Sequence, residues 1–222
     1  MIDAHIHILP NLDDGSDSID KSKKMLELLK EQGVAKIIAT PHFYNHREES
    51  VDAFLEKRQK AYEKLGSPEN MLLGAEVAVE HGISKVKGIE KLAIQGTGLI
   101  LLEFPYTAYS SWMSEEIYNI SVTYKLKPVI AHIHRYLDYY PKNVMEQVIE
   151  TNAVFQINNE AFGNFRERRF VQRLIKEEYP VIFGSDSHNL NERKPNWDLL
   201  KKKVKQPVID EAMELLRKYI ET

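Results

Sequence analysis

MIDAHIHILPNLDDGS (residues 1–16) opens with a short apolar run that carries two histidines, His5 and His7, near its end. Side chains two residues apart in a strand point to one face. The two imidazoles therefore aim at a common point, where they either hold a metal ion or share a polar core. The same design, an apolar run finished by ionisable residues, recurs along the chain. VAKIIAT (34–40) is followed by His42, MLLGAEVAV (71–79) contains Glu76, and GLILLEF (98–104) contains Glu103. PVIAHIH (128–134) contains His132, AVFQINN (153–159) is a sixth such run, and PVIFGSD (180–186) leads through Asp186 to His188.

Segments of helical period separate these runs. Residues 17–33 carry Ile19, Met25, Leu26 and Leu29 on one face and stop at Gly33. Further helices are predicted over 50–66, 110–126, 143–152 and 165–179, a short irregular stretch reaches about Gln95, and residues 208–220 close the chain. Seven strand–helix repeats with nearly continuous apolar strands predict an α/β fold with a parallel sheet covered by helices. Parallel strands put their carboxyl ends on one side. An open sheet would scatter the ionisable residues along a line, whereas a barrel gathers them. Their number predicts a closed, TIM-like (β/α)7 barrel, and the absence of any linker predicts one domain over residues 1–222.

Composition excludes several functions. The chain is 43% apolar and 28% charged, as in an ordinary globular protein, and its net charge of −3 offers no basic excess for nucleic acid. KKKVK (201–205) is read as the solvated surface of a helix or loop. Cysteine is absent, which removes disulfides, thiolate metal sites and a cysteine nucleophile. No run is apolar enough to insert in a membrane and no signal peptide opens the chain, so a cytoplasmic enzyme or binding protein is expected.

A single histidine at a strand end is ordinarily a hydrogen-bonded structural residue, a single glutamate an anchor, and SDSH an N-cap. Six of the eight histidines, however, sit in HIH, TPH, HIH and SDSH at predicted carboxyl ends. Burying so many ionisable groups together is very unfavourable unless cations satisfy them. Imidazole and carboxylate donors suit manganese, zinc, iron or cobalt alike.

Together HIH…DDGS, TPH, GAE, LLEFP, AHIHR and SDSHN resemble the polymerase-and-histidinol-phosphatase (PHP) superfamily. Within it, they are similar to the metal-dependent bacterial protein-tyrosine phosphatases of capsule and exopolysaccharide assembly. The likeness runs from residue 1 to about Arg193. It implies a distorted barrel of seven strands and three metal ions, usually manganese. By motif, His5, His7, Glu76 and Asp186 would hold one ion; Glu76, Glu103 and His132 a second; and Asp14, His42 and His188 the third. Asp13 competes with Asp14, and Glu80 with Glu76. Arg135 and Arg193 match phosphate-contacting, catalytic positions, and Arg47 is a third candidate for substrate binding. His134 stands where relatives commonly have glutamate, as an extra ligand, a general acid or a neutral replacement.

The implied reaction is hydrolysis of phosphotyrosine on a protein, the expected partner being a bacterial tyrosine kinase with a tyrosine-rich end. Tyr106, Tyr109, Tyr136, Tyr139 and Tyr140 would either line the entrance or pack. Histidinol phosphate is the alternative substrate, although short connections leave little chain for a lid over a small molecule. A catalytically silent scaffold is the third reading, disfavoured because every ligand type is present.

Overall fold

Branched apolar side chains fill each predicted run, and in the computed structural model, which describes residues 1–220, these runs become parallel strands. They are β1 (Ile2–Ile6), β2 (Lys36–Ala39), β3 (His42–Phe43), β4 (Met71–Leu73), β5 (Glu76–Ala78), β6 (Leu99–Glu103), β7 (Lys127–Ile130), β8 (Val154–Asn158) and β9 (Val181–Gly184). Two ladders run β1-β2-β4 and β3-β5-β6-β7-β8-β9.

The nine segments form seven staves, because β2 continues into β3 and β4 into β5. Gly74 N–H donates to the Ala39 carbonyl (2.8 Å) and Glu76 N–H to the Pro41 carbonyl (3.0 Å), carrying the pairing across both breaks. Pro41 has no N–H for a ladder and marks one of those breaks. The ring closes between β1 and the end of β9. There Asp186 N–H donates to the His5 carbonyl (2.8 Å) and His7 N–H to the Ser187 carbonyl (3.0 Å). The expected seven-strand barrel is therefore present, with two staves interrupted.

Gly184 makes this seam possible. A Cβ there would lie 2.8 Å from both the backbone nitrogen and the Cβ of His5, and 2.9 Å from Gln156 Nε2. Only hydrogen fits between the two strands.

The helices are α1 (Ile19–Glu31), α2 (Val51–Lys64), α3 (Ser111–Tyr124), α4 (Lys142–Ile149), α5 (Phe165–Lys176), α6 (Trp197–Lys203) and α7 (Gln206–Ile220). Ser18, Ser50 and Asn164 cap α1, α2 and α5 by accepting backbone N–H bonds from residues two or three further on. α1 buries Met25 and Leu29 as its period predicts. The stretch before Gln95 forms two 3₁₀ turns, Ile83–Lys85 and Ile89–Leu92.

α6 has no counterpart in the sequence reading. Its anchor is the fully buried Trp197, whose indole N–H donates to Asp3 at 2.9 Å. Lys201, Lys202 and Lys203 are its exposed end, which agrees with the reading of KKKVK as a solvated surface. Among the described residues, no helix is long and apolar enough to cross a membrane.

The fifth predicted strand is shorter than its apolar pattern suggests. β7 stops at Ile130 because His132 adopts a left-handed conformation (φ 30°, ψ 50°) and opens a 3₁₀ turn, Ile133–Asp138. Asp186, just past β9, is also left-handed (φ 49°). Such conformations are uncommon outside glycine and cluster at functional sites. Here both lie at strand ends that carry candidate ligands.

Candidate metal centre

All the candidate donors lie at the carboxyl end of the barrel. His5 leads out of β1, His42 opens β3, Glu76 opens β5 and Glu103 ends β6; His132, Asp186 and His188 sit on the turns after β7 and β9. Parallel register brings His42 directly opposite Glu76.

Glu76 is the hub. Its Oε2 lies 3.3 Å from His5 Nε2, 3.2 Å from His7 Nε2 and 3.1 Å from His42 Nδ1. Its Oε1 lies 2.8 Å from His132 Nε2, which is 3.4 Å from Glu103. On the other side, Asp186 Oδ1 lies 3.6 Å from His5 Nε2 and 3.5 Å from His7 Nε2. Asp14 Oδ1 is 3.4 Å from both His42 Nε2 and His188 Nε2.

The donor atoms fall into three groups, each with members within 4.8 Å of one another: His7, Asp14, His42 and His188; His5, His7 and Asp186; and His42, Glu76 and Glu103. These overlap the three sets implied by resemblance. They differ in that His7 and His42 each face two groups, Glu76 joins only one, and His132 meets Glu76 and Glu103 without joining any.

Electrostatics hold the carboxylates charged. Burial opposes ionisation of Glu76, yet the imidazoles of His5, His132 and His7 keep it well below the ordinary carboxylate range. Burial opposes the charge on Asp186 as well, and His5, Arg135, His7 and Arg193 lower it nonetheless. The His188 imidazole 3.4 Å away lowers Asp14. Burial likewise disfavours a charged His132, but Glu103 and Glu76 prevail and lift it to about 9.

The donor chemistry fits divalent cations. His5 Nδ1 donates to Gln156 Oε1 (3.0 Å), His7 Nδ1 to Asp13 Oδ2 (2.6 Å) and His188 Nδ1 to the Asp186 carbonyl (2.9 Å). Each bond fixes the tautomer and leaves Nε2 with a free lone pair toward the cluster, the usual support for a metal-ligating imidazole. His5 Nε2 and His7 Nε2 then face each other at 3.1 Å as two lone pairs. His42 Nδ1 and His188 Nε2 are buried without a hydrogen-bond partner among the described residues. A cation between these atoms resolves both conflicts.

Asp13 and Asp14 separate cleanly. The side chain of Asp13 is largely covered and accepts from His7 and from the backbone N–H groups of Gly15 and His42, so it orients a donor. Asp14 is exposed and faces the His42–His188 group. Gly15 lets this loop fold back, since a Cβ would meet the His7 carbonyl oxygen at 2.3 Å. Glu80 is not drawn in; it pairs with His46 on the rim.

β8 supplies no candidate ligand but supports three others. Gln156 Oε1 accepts from His132 N–H (2.8 Å) as well as from His5, and Asn158 Nδ2 donates to Asp186 Oδ2 (2.8 Å). The sequence reading missed both; a Gln and an Asn two apart in an otherwise apolar run were the available signal. Tyr44 was missed too. Its ring lies 5.2 Å from that of His42.

Arg135 and Arg193 converge on one atom, Asp186 Oδ2, at 2.9 and 2.7 Å. Arg193 Nε is buried and has no hydrogen-bond partner among the described residues. Arg47 stands further out, its guanidinium 4.2 Å above the Tyr44 ring.

His134 is not among the donors. The left-handed turn at His132 carries it into the interior, where both ring nitrogens lack hydrogen-bond partners among the described residues. Burial, then the positive charge of Arg135, keeps it well below the ordinary imidazole value.

The tyrosines divide. Tyr106 (38% exposed) stacks on His132, its hydroxyl 3.3 Å from Nδ1, and Tyr139 (46% exposed) lies beside it. Tyr109 is half-buried, and Tyr136 and Tyr140 are core residues stacked on each other. Tyr136 is fully tied, since its hydroxyl accepts from Phe104 N–H and donates to the Phe104 carbonyl.

Comparison with known proteins shows the family. A sequence family described as capsular polysaccharide synthesis, CpsB/CapC, matches residues 1–218. The chain belongs to the CpsB/CapC family. Within that family, tyrosine-protein phosphatase YwqE of Bacillus subtilis is 28% identical over 205 residues, covering 87% of this chain and 79% of the relative. Tyrosine-protein phosphatase CpsB of Streptococcus pneumoniae is 29% identical over 227 residues, covering 91% of this chain and 90% of the relative.

Among solved structures, one described with YwqE from B. subtilis and CpsB from S. pneumoniae as metal-dependent tyrosine phosphatases superposes with a TM-score of 0.72. It is 25% identical and covers 100% of this chain and 88% of its own. The phosphotriesterase homology protein of Escherichia coli shares the fold, at a TM-score of 0.55, 12% identity and coverage of 99% and 98%.

Proposed function

We propose that this CpsB/CapC protein is a manganese-dependent protein-tyrosine phosphatase. The observation that carries the reading is the convergence of nitrogen and oxygen donors from the strand ends beside two guanidinium groups. His5, His7, Glu76 and Asp186 would hold one ion, Glu76, Glu103 and His132 a second, and Asp14, His42 and His188 a third. When bound, such ions offset charge on the transferring phosphoryl group and make water a competent nucleophile near neutral pH.

The chain's own residues do the rest. Glu76, buried among imidazoles, holds the donor groups together. Arg135 and Arg193 flank Asp186 and present a guanidinium fork whose shape matches phosphate oxygens. Tyr106 offers an exposed aromatic wall against which a phenyl ring can stack. A phenolate with a pKa near 10 leaves without strong acid assistance. The neutral, buried His134 is therefore not required as a proton donor. The substrate would be phosphotyrosine on the tail of a bacterial tyrosine kinase in the cytoplasm, and the consequence regulation of capsular or exopolysaccharide synthesis.

The test is turnover of a phosphotyrosyl peptide after chelation and restoration with single metals, beside histidinol phosphate. The expected result is loss with chelator, recovery with manganese and faster hydrolysis of the peptide. Chelator-insensitive activity, or faster hydrolysis of histidinol phosphate, contradicts the proposal.

Two further outcomes follow. Asp13→Asn keeps the fold but removes the carboxylate that orients His7. Manganese affinity is then expected to fall about 10- to 100-fold in a dialysis titration; unchanged affinity would argue against this role.

Protons compete with cations for imidazoles, so manganese affinity should rise with pH. His132 marks one such window. Its ion pair stabilises the metal-free protein fully below about 6.5 and is lost as pH climbs through about 9, where the imidazole gives up its proton. Metal titrations across this range test the sign, and affinity that falls with pH would refute it.

A further inference from the structure

The cleft between α4 and α5 concentrates positive charge in a chain whose net charge is −3. It encloses about 500 Å³, and its charged lining is Lys142, Arg166, Arg169 and Arg173 against the single carboxylate Glu146, over a floor that includes Met145 and Phe170. Arg173 is committed to Glu146 through two bonds of 2.7 and 2.6 Å, and Arg166 to Asp138 and the Leu137 carbonyl. Lys142 and Arg169 are exposed and form no salt bridge among the described residues.

Helix stability does not account for this charge. Arg166 and Arg169 sit in the first turns of α5, where the helix dipole disfavours cations. Arg166, Arg169 and Arg173 share one face by their spacing of three and seven. They span about 10 Å along the axis, the length of roughly three residues of extended peptide.

The cleft is also connected to the metal centre. α5 starts at the same end of the barrel as the donors, and Arg166 grips the far end of the turn that carries Arg135. A polypeptide with one residue beside Arg135 could pass over that turn and enter the cleft.

We infer that the α4–α5 cleft docks an acidic segment flanking the phosphotyrosine of the polypeptide substrate, an inference that rests on the phosphatase reading above. Charge complementarity selects the occupant, and the half-buried Phe170 gives its side chains apolar surface to lie on.

The test compares KM for two phosphotyrosyl peptides that differ only in glutamate or glutamine flanks, using the full chain loaded with manganese. p-Nitrophenyl phosphate, which has no flanks, is the control. The glutamate peptide is expected to show a KM about five-fold lower at low ionic strength, the size of two exposed ion pairs. That preference should vanish at high ionic strength and in the Lys142→Ser, Arg169→Ser double variant, with p-nitrophenyl phosphate kinetics unchanged. Equal KM for the two peptides in the wild type, or a preference that survives in the variant, overturns the docking site while leaving the phosphatase reading intact. A chain that hydrolyses none of the three substrates contradicts that reading, and the docking site with it.

Discussion

Glu76→Gln is expected to lower phosphotyrosyl-peptide turnover by about a thousand-fold, at the upper end of what loss of one preorganised charge-stabilising group costs. The substitution keeps shape and volume but removes a negative charge faced by His5, His7, His42 and His132. Without it, those imidazoles lose their common counter-charge and the donor groups lose the bridge between them. Steady-state kinetics and metal analysis of the same preparation check the effect. Both turnover and bound manganese should fall, with the circular dichroism spectrum unchanged. A variant that keeps its metal and more than a tenth of its activity would show that Glu76 is a bystander.

Gly184→Ala is expected to destabilise the barrel strongly. The added Cβ would press on His5 N and Cβ at 2.8 Å, so the atoms in the way belong to the neighbouring strand and cannot rotate aside. Relief requires opening the β1–β9 seam, where the hydrogen bonds of His5 and His7 close the ring. Overpacking of this kind costs about 3 kcal/mol at the upper end of its usual range. For a chain this long, that lowers Tm by roughly 6–12 °C. Gly98→Ala is the control, because a Cβ there meets nothing within 4 Å. Thermal melts of the two variants should differ plainly; equal Tm values would mean that the seam is not tightly closed.

The barrel was legible in the sequence because each stave is a short apolar run and the ionisable residues mark one end of it. Where the reading failed, the reason was local geometry. HIH occurs at 5–7 and again at 132–134, and the two look alike as sequence. In the first, extended backbone keeps both imidazoles on one face, whereas in the second the left-handed His132 sends His134 elsewhere.

Asp13 and Asp14 are chemically identical neighbours, and only the fold of the loop over Gly15 assigns one to support and the other to the cluster. α6 escaped notice because it is short, so its buried face is only Trp197 and Leu200, too few positions to show a period. Gln156 and Asn158 were passed over because amides in a strand carry no charge to draw attention. Their bonds to His5, His132 and Asp186 are tertiary facts.

The most direct test of the account is the amount of manganese bound per chain after equilibrium dialysis, measured by elemental analysis on wild type and on His5→Ala. The three donor groups predict close to three ions per wild-type chain and fewer in the variant. Less than one ion per wild-type chain, or the same content in both proteins, would contradict it.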